Sequence, residues 1–166
     1  MDVRRIRADE WSLLRELRLR SLLDAPEAFG QRYEKAAAEP DAEWRSAARA
    51  SAAGDRRAWF VARDDDPAST EVGLVQARRR PPDDCLVFSM WVAPSARRSG
   101  VGKALIDAVS EWARGWGGQR IVLWVFGAND SALRFYERLG FKVLPEGPDA
   151  ESGQGFGALA MERVLG

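Results

Sequence analysis

Trp91-Val92-Ala93-Pro94-Ser95-Ala96-Arg97-Arg98-Ser99-Gly100-Val101-Gly102-Lys103-Ala104-Leu105 passes from an apolar run through a proline-containing loop into a helical pattern. Val101, Leu105, Ala108, Val109 and Trp112 continue one helical stripe, and the glycines from Gly115 to Gly118 predict its end. The first backbone N–H groups of a helix lack internal partners and sit at the positive end of its dipole, so an anion is stabilised there. Gly100 and Gly102 remove side chains that would hold a pyrophosphate away from those groups. Arg97, Arg98 and Lys103 add positive charge around the same turn. A nucleoside-triphosphate loop would need a hydroxyl residue after the lysine, but Ala104 follows Lys103, and only one residue separates the glycines. A dinucleotide fingerprint would need a third glycine where Leu105 stands. An ordinary capped loop is the plain alternative for this turn taken alone.

Outward from this turn, both directions carry readable elements. Toward the N-terminus, residues 58–63, 72–79 and 85–92 predict three strands, with turn material between them and the spacing of an antiparallel meander. Before them, residues 2–8 predict a short strand, and Asp9 is placed to cap a helix carrying Trp11, Leu14, Leu17, Leu19, Leu22 and Leu23. Arg15, Arg18 and Arg20 fall on the polar face of that helix. After the break from Ala25 to Gly30, a second helix over residues 40–53 opens at Pro40-Asp41 and closes at Gly54. Toward the C-terminus, Ile121 to Phe126 reads as a buried strand, Asn129 or Asp130 as a helix cap and Gly140 as that helix's end. Residues 141–144 and 156–164 then give two last strands. The sum is an α+β domain over residues 1–166, with one mixed, mostly antiparallel sheet of about seven strands and about four helices on its faces.

Composition narrows the chemistry. Lys plus Arg and Asp plus Glu number 25 each, so no broad positive field favours nucleic acid or an anionic membrane, and any anion site must be local. No run of eighteen apolar residues occurs and no apolar signal core follows the N-terminal arginines, which predicts an unexported chain. With one cysteine, Cys85, and no histidine, an intramolecular disulfide, a thiolate metal cluster and Cys-His or Ser-His-Asp catalysis are all excluded. Cys85 reads as a buried structural thiol, and a reducing cytoplasm fits.

Two motifs lie in order along the chain. The first is Arg97-x-x-Gly100-x-Gly102 after Val92-x-Pro94. The second is Asn129-Asp130-Ser131-Ala132-Leu133-Arg134-Phe135-Tyr136-Glu137-Arg138-Leu139-Gly140-Phe141. Together they resemble the GNAT superfamily of N-acetyltransferases, whose signature is Gln/Arg-x-x-Gly-x-Gly/Ala and whose later block reads Asn-x-x-Ala-x-x-x-Tyr-x-x-x-Gly-Phe. The resemblance is strong over residues 58–144 and looser toward the N-terminus. It implies acetyl-CoA (coenzyme A) as cofactor, bound at the turn formed by Arg97, Arg98, Ser99, Gly100, Val101, Gly102 and Lys103. It also implies thioester-oxygen donors on the backbone of Met90, Trp91 and Val92, and contact of Asn129 with the pantetheine arm.

Acetyl transfer to an amine passes through a tetrahedral oxyanion and expels a thiolate, which needs an acid. A tyrosine hydroxyl can supply that proton, and the resemblance points to Tyr136; packing in the core is its alternative role. Asn129 could equally serve as a helix cap. The amine must lose a proton, yet Trp124 stands where one protein-modifying branch carries a glutamate, so the base is unassigned, with Glu27, Asp83 and Asp84 as candidates. Phe29, Trp44 and Trp124 could wall the acceptor pocket, and Glu146, Asp149 and Glu151 could attract a cationic amine. The expected reaction is acetylation of a primary amine on a small molecule. A protein N-terminal or lysine acetyltransferase and a non-catalytic acyl-CoA sensor are the alternatives, and a homodimer is left open.

Overall fold

The computed structural model describes residues 1–29, 31–126, 129–145 and 158–166. The elements are β1 Asp2–Arg5, α1 Trp11–Asp24, a 3-10 turn Pro26–Ala28, α2 Tyr33–Ala37, α3 Asp41–Ala52, β2 Arg57–Arg63, β3 Glu71–Arg80 and β4 Asp84–Val92. A second 3-10 turn Pro94–Ala96 is followed by α4 Val101–Gly115, β5 Arg120–Phe126, α5 Asp130–Arg138, β6 Lys142–Val143 and β7 Ala158–Val164. The seven strands form one sheet in the order β1-β2-β3-β4-β5-β7-β6. Every neighbouring pair is antiparallel except β4 and β5, which α4 joins as a parallel crossover.

Side-chain alternation sets the layers. The Trp91 indole N–H donates to Asp24 Oδ2 of α1 at 2.9 Å, so this face of β4, and Leu74 opposite it on β3, lie toward α1. The next residue, Gly73, points the other way, where a Cβ would come within 2.9 Å of Leu105 and Val101 of α4. The sheet is therefore sandwiched between α1 and α4. Leu14, Leu17 and Leu74 fill one layer and Leu105, Ile106 and Val109 the other, all fully buried. Among the described residues no helix is long and apolar enough to cross a membrane.

Three local expectations fail for physical reasons. Asp9 does not cap α1. Glu10 occupies the cap position and turns its carboxylate back onto Arg4, at 2.7 and 2.8 Å, and onto the Arg7 amide, because a bidentate guanidinium outcompetes the helix end. The segment between the first two expected helices is not a plain break, since the 3-10 turn and α2 occupy it. Finally, Arg18 is not on a solvated face: it is buried at 7% exposure, while Leu23 on the same helix is 64% exposed. Cys85 is fully buried, as expected, and its thiol is pushed up to about 12 by burial, with Asp84 adding to the shift.

Candidate active site

Only the first residues of β4 and β5 pair, Asp84 with Arg120, Cys85 with Ile121 and Leu86 with Val122. Beyond Leu86 the two strands part, and among the described residues the edge of β4 that faces β5 has no strand partner there. An ion-pair ladder closes the paired end. Arg80 of β3 donates to Asp84 of β4 at 2.5 Å, Arg120 of β5 donates to both Asp84 oxygens at 2.9 Å, and Arg120 also reaches Glu162 of β7 at 2.8 Å. Four adjacent strands are thus clamped at the point where the sheet begins to open. The Arg120 and Arg80 guanidiniums hold the Asp84 carboxyl below the usual carboxylate range.

At the open end, β4 bulges. Gln76 faces Phe88 and Leu74 faces Trp91, so Ser89 and Met90 together oppose Val75. Ser89 takes the extra turn at φ 54°, in the left-handed region that a residue with a Cβ normally avoids. Met90, directly after the strained residue of the bulge, lines the opening. Phe88 of β4 stacks on Trp124 of β5 across the gap, with ring centroids 5.6 Å apart and planes 18° from parallel.

The opening leads into a cleft of about 1170 Å³. Met90, Asn129 and Tyr136 line it together, as do the three aromatic residues expected as a pocket wall, Phe29, Trp44 and Trp124. The Tyr136 ring is held edge-on between Phe135, at 5.1 Å, and Phe141, at 5.5 Å, and burial raises its hydroxyl above the ordinary phenol range. Asn129 caps α5, its side-chain oxygen accepting from the Ala132 amide at 3.2 Å. Both roles read for Asn129 are therefore compatible. Trp91 turns its ring onto α1, which leaves only its backbone for the opening.

The turn from Arg97 to Lys103 stands at the start of α4, outside the cleft lining. Gly100 occupies the cap position at φ 89°, no side chain caps the helix, and its first internal bond runs from the Ala104 amide to the Gly100 carbonyl at 3.0 Å. The amides of Val101, Gly102 and Lys103 precede that bond and have no helical acceptor. Gly102 also meets a constraint that its motif position does not suggest: a Cβ there would meet the Phe135 ring at 2.8 Å and Met90 Cε at 3.4 Å. Arg97 is bound to Asp24 and to the Val92 carbonyl, Lys103 pairs with Asp107 at 2.6 Å, and the Ser99 hydroxyl donates to the Ala96 carbonyl. Arg98 is exposed, with φ 64°.

None of the base candidates lines the cleft. Asp84 is locked in the ladder, Glu27 is exposed beside the lining residues Ala28 and Phe29, and Asp83 is half-buried, whereas Glu39 and Glu43 do line it. Glu146, Asp149 and Glu151 fall outside the described residues. The cleft also contains Arg18, Trp59, Gln76 and Arg78, which carried no motif and no distinctive spacing in the sequence.

Solved structures with this architecture include an acetyltransferase of the GNAT family from Streptococcus pneumoniae, with TM-score 0.77, 18% identity and 99% coverage of each chain. Another is a GCN5-related N-acetyltransferase from Kribbella flavida, with TM-score 0.72, 27% identity, and 99% of this chain and 97% of that one covered. An uncharacterised N-acetyltransferase of Methanocaldococcus jannaschii is 39% identical over 56 residues, which is 34% of this chain and 25% of that protein. The first curated relatives are matched over 19% to 54% of their own length. A model of the acetyltransferase (GNAT) family matches residues 13–141, through both motifs, the splayed strands and the cleft between them, and the chain belongs to that family.

Proposed function

We infer that the protein transfers the acetyl group of acetyl-CoA to the primary amine of a small molecule. The observation that carries this is the free edge of β4 beyond Leu86, bulged at Ser89, opening onto the same cleft as Tyr136. The residues present fit the cofactor: the uncapped start of α4 offers amides suited to a pyrophosphate, and the unpaired β4 edge offers main-chain groups suited to a pantetheine arm. When bound, acetyl-CoA supplies an activated thioester carbonyl. Backbone donors near Met90 would hold its oxygen as negative charge developed there. Tyr136, kept protonated by burial, would protonate the departing sulfur and be restored by the proton that the amine nitrogen releases as it forms the amide.

The small-molecule reading rests on the helices that wall the cleft. α1, α2 and α3 all contribute to the cleft wall, and the volume suits a cofactor arm together with a compact acceptor better than an extended polypeptide. The test is calorimetric titration with acetyl-CoA, using desulfo-CoA and ATP as comparators, followed by Tyr136→Phe. Acetyl-CoA binds and ATP does not. The substitution lowers kcat by about 100-fold while sparing cofactor affinity. Loss of cofactor binding in Tyr136→Phe, or undiminished turnover, removes the acid assignment; no acetyl-CoA binding by the folded wild type removes the reaction.

A further inference from the structure

Arg18 of α1 is a buried cation with no ion-pair partner among the described residues. It is 7% exposed, and its pKa is pushed down to about 10 by burial alone, with no carboxylate raising it. Nη2 donates to Gln31 Oε1 over a long 3.3 Å, the Phe29 ring lies 4.8 Å from the guanidinium carbon, and Nη1 has no hydrogen-bond partner among the described residues. Two more residues that line the same cleft, Trp44 on α3 and Trp59 on β2, carry buried indole N–H groups in the same condition. A buried donor left without an acceptor costs stability, and a buried unpaired charge costs more. Here three of them, from three separate elements, gather around one cavity. Charge in the cleft is skewed the same way, with Arg32, Lys35, Arg57 and Arg78 set against Glu39 and Glu43.

We propose that the acceptor is an amine that also carries a carboxylate, an amino acid or a close analogue, and that Arg18 recognises that carboxylate. The proposal rests on the acetyl-transfer reading and specifies its substrate class. A carboxylate that displaces Gln31 meets Nη1 and Nη2 together, the bidentate geometry for which a guanidinium is pre-shaped. One buried positive charge matches one negative charge, which favours a carboxylate over a phosphate dianion. Polycationic amines would meet a cleft of their own sign.

The test uses product analogues, so that it does not depend on knowing the acceptor. N-acetyl amino acids are titrated into CoA-saturated protein beside the corresponding amides, the N-acetyl amines lacking the carboxylate, and N-acetyl-O-phosphoethanolamine. Tryptophan fluorescence is the readout, because Trp44, Trp59 and Trp124 line the cleft. The acids bind on the order of 10- to 100-fold more tightly than the amides, as expected for a buried guanidinium–carboxylate pair. Arg18→Gln abolishes the preference, Arg18→Lys keeps part of it, and both variants retain wild-type CoA affinity. Equal binding of acids and amides, preference for the phosphorylated compound, no response to any acid in a protein that binds CoA, or an unchanged preference in Arg18→Gln overturns the proposal alone. Failure of the wild type to bind CoA overturns this proposal and the acetyl-transfer reading together.

Discussion

Arg18 and Gly102 show how a residue's type can be plain while its reason is hidden. Three arginines on α1 at spacings compatible with a solvated face give no hint that the middle one turns inward, because helical phase fixes direction only to within a broad arc. The motif marks Gly102 as a phosphate-loop glycine, yet its closest constraint is the Phe135 ring, contributed by a helix twenty-eight positions further on. A buried cation retained without a partner also predicts a stability cost. Its folded-state pKa, about 10, lies below the ordinary arginine range, so the penalty is present at neutral pH, where the group is charged, and is relieved as pH rises through the folded value. Arg18→Met, similar in reach and uncharged, therefore raises stability by about 1 to 2 kcal/mol at pH 7, after allowing for the lost contacts to Phe29 and Gln31. Thermal unfolding at pH 7 shows the gain as a rise of a few degrees in Tm. An unchanged or lower Tm would mean that the guanidinium is better satisfied than its contacts indicate.

β4 and its neighbours form the element that makes the site, and the sequence reveals its extent but not its shape. The apolar run up to Val92 and the following loop are legible because alternation and turn residues are local signals. The bulge at Ser89 is not, because it depends on register against β3, and serine carries no preference for positive φ. Likewise Asp84 is legible as an acid near a turn, but its place in a ladder through Arg80, Arg120 and Glu162 depends on four strands that are distant in sequence. Asp84→Asn removes the charge that Arg80 and Arg120 share and lowers stability by about 2 kcal/mol at pH 7. Urea denaturation reads this as a lower midpoint with an unchanged slope. The sign with pH follows from the depressed carboxyl. The wild-type advantage is full above the unfolded carboxylate pKa of about 3.9 and is lost as pH falls through the folded value, so the two proteins converge in acid.

At the scale of the whole molecule, order and class are legible. One sheet, strands flanking the central helix and two motifs in sequence all follow from patterns of period two and period three to four. The walls of the cleft do not, because they are assembled from α1, α2, α3 and β2 through contacts that no single segment encodes. Cys85 offers a probe of this assembled state. It lies fully buried in β4 between β3 and β5, beside the point where the strands separate, with its thiol pushed up to about 12. Ellman's reagent needs access and a thiolate, and the native protein offers neither, so labelling at pH 8 must proceed through opening of the central sheet. On the proposed binding mode, acetyl-CoA held by the β4 edge and the start of α4 would stabilise the closed sheet by mass action. At a concentration of about 100 times its Kd it slows labelling by about 100-fold when reclosing is faster than the chemistry. ATP leaves the rate unchanged. A labelling rate indifferent to acetyl-CoA, in a protein that calorimetry shows to bind it, would mean that β4 parts from β5 without releasing the cofactor, and the β4 edge could then not be what holds it.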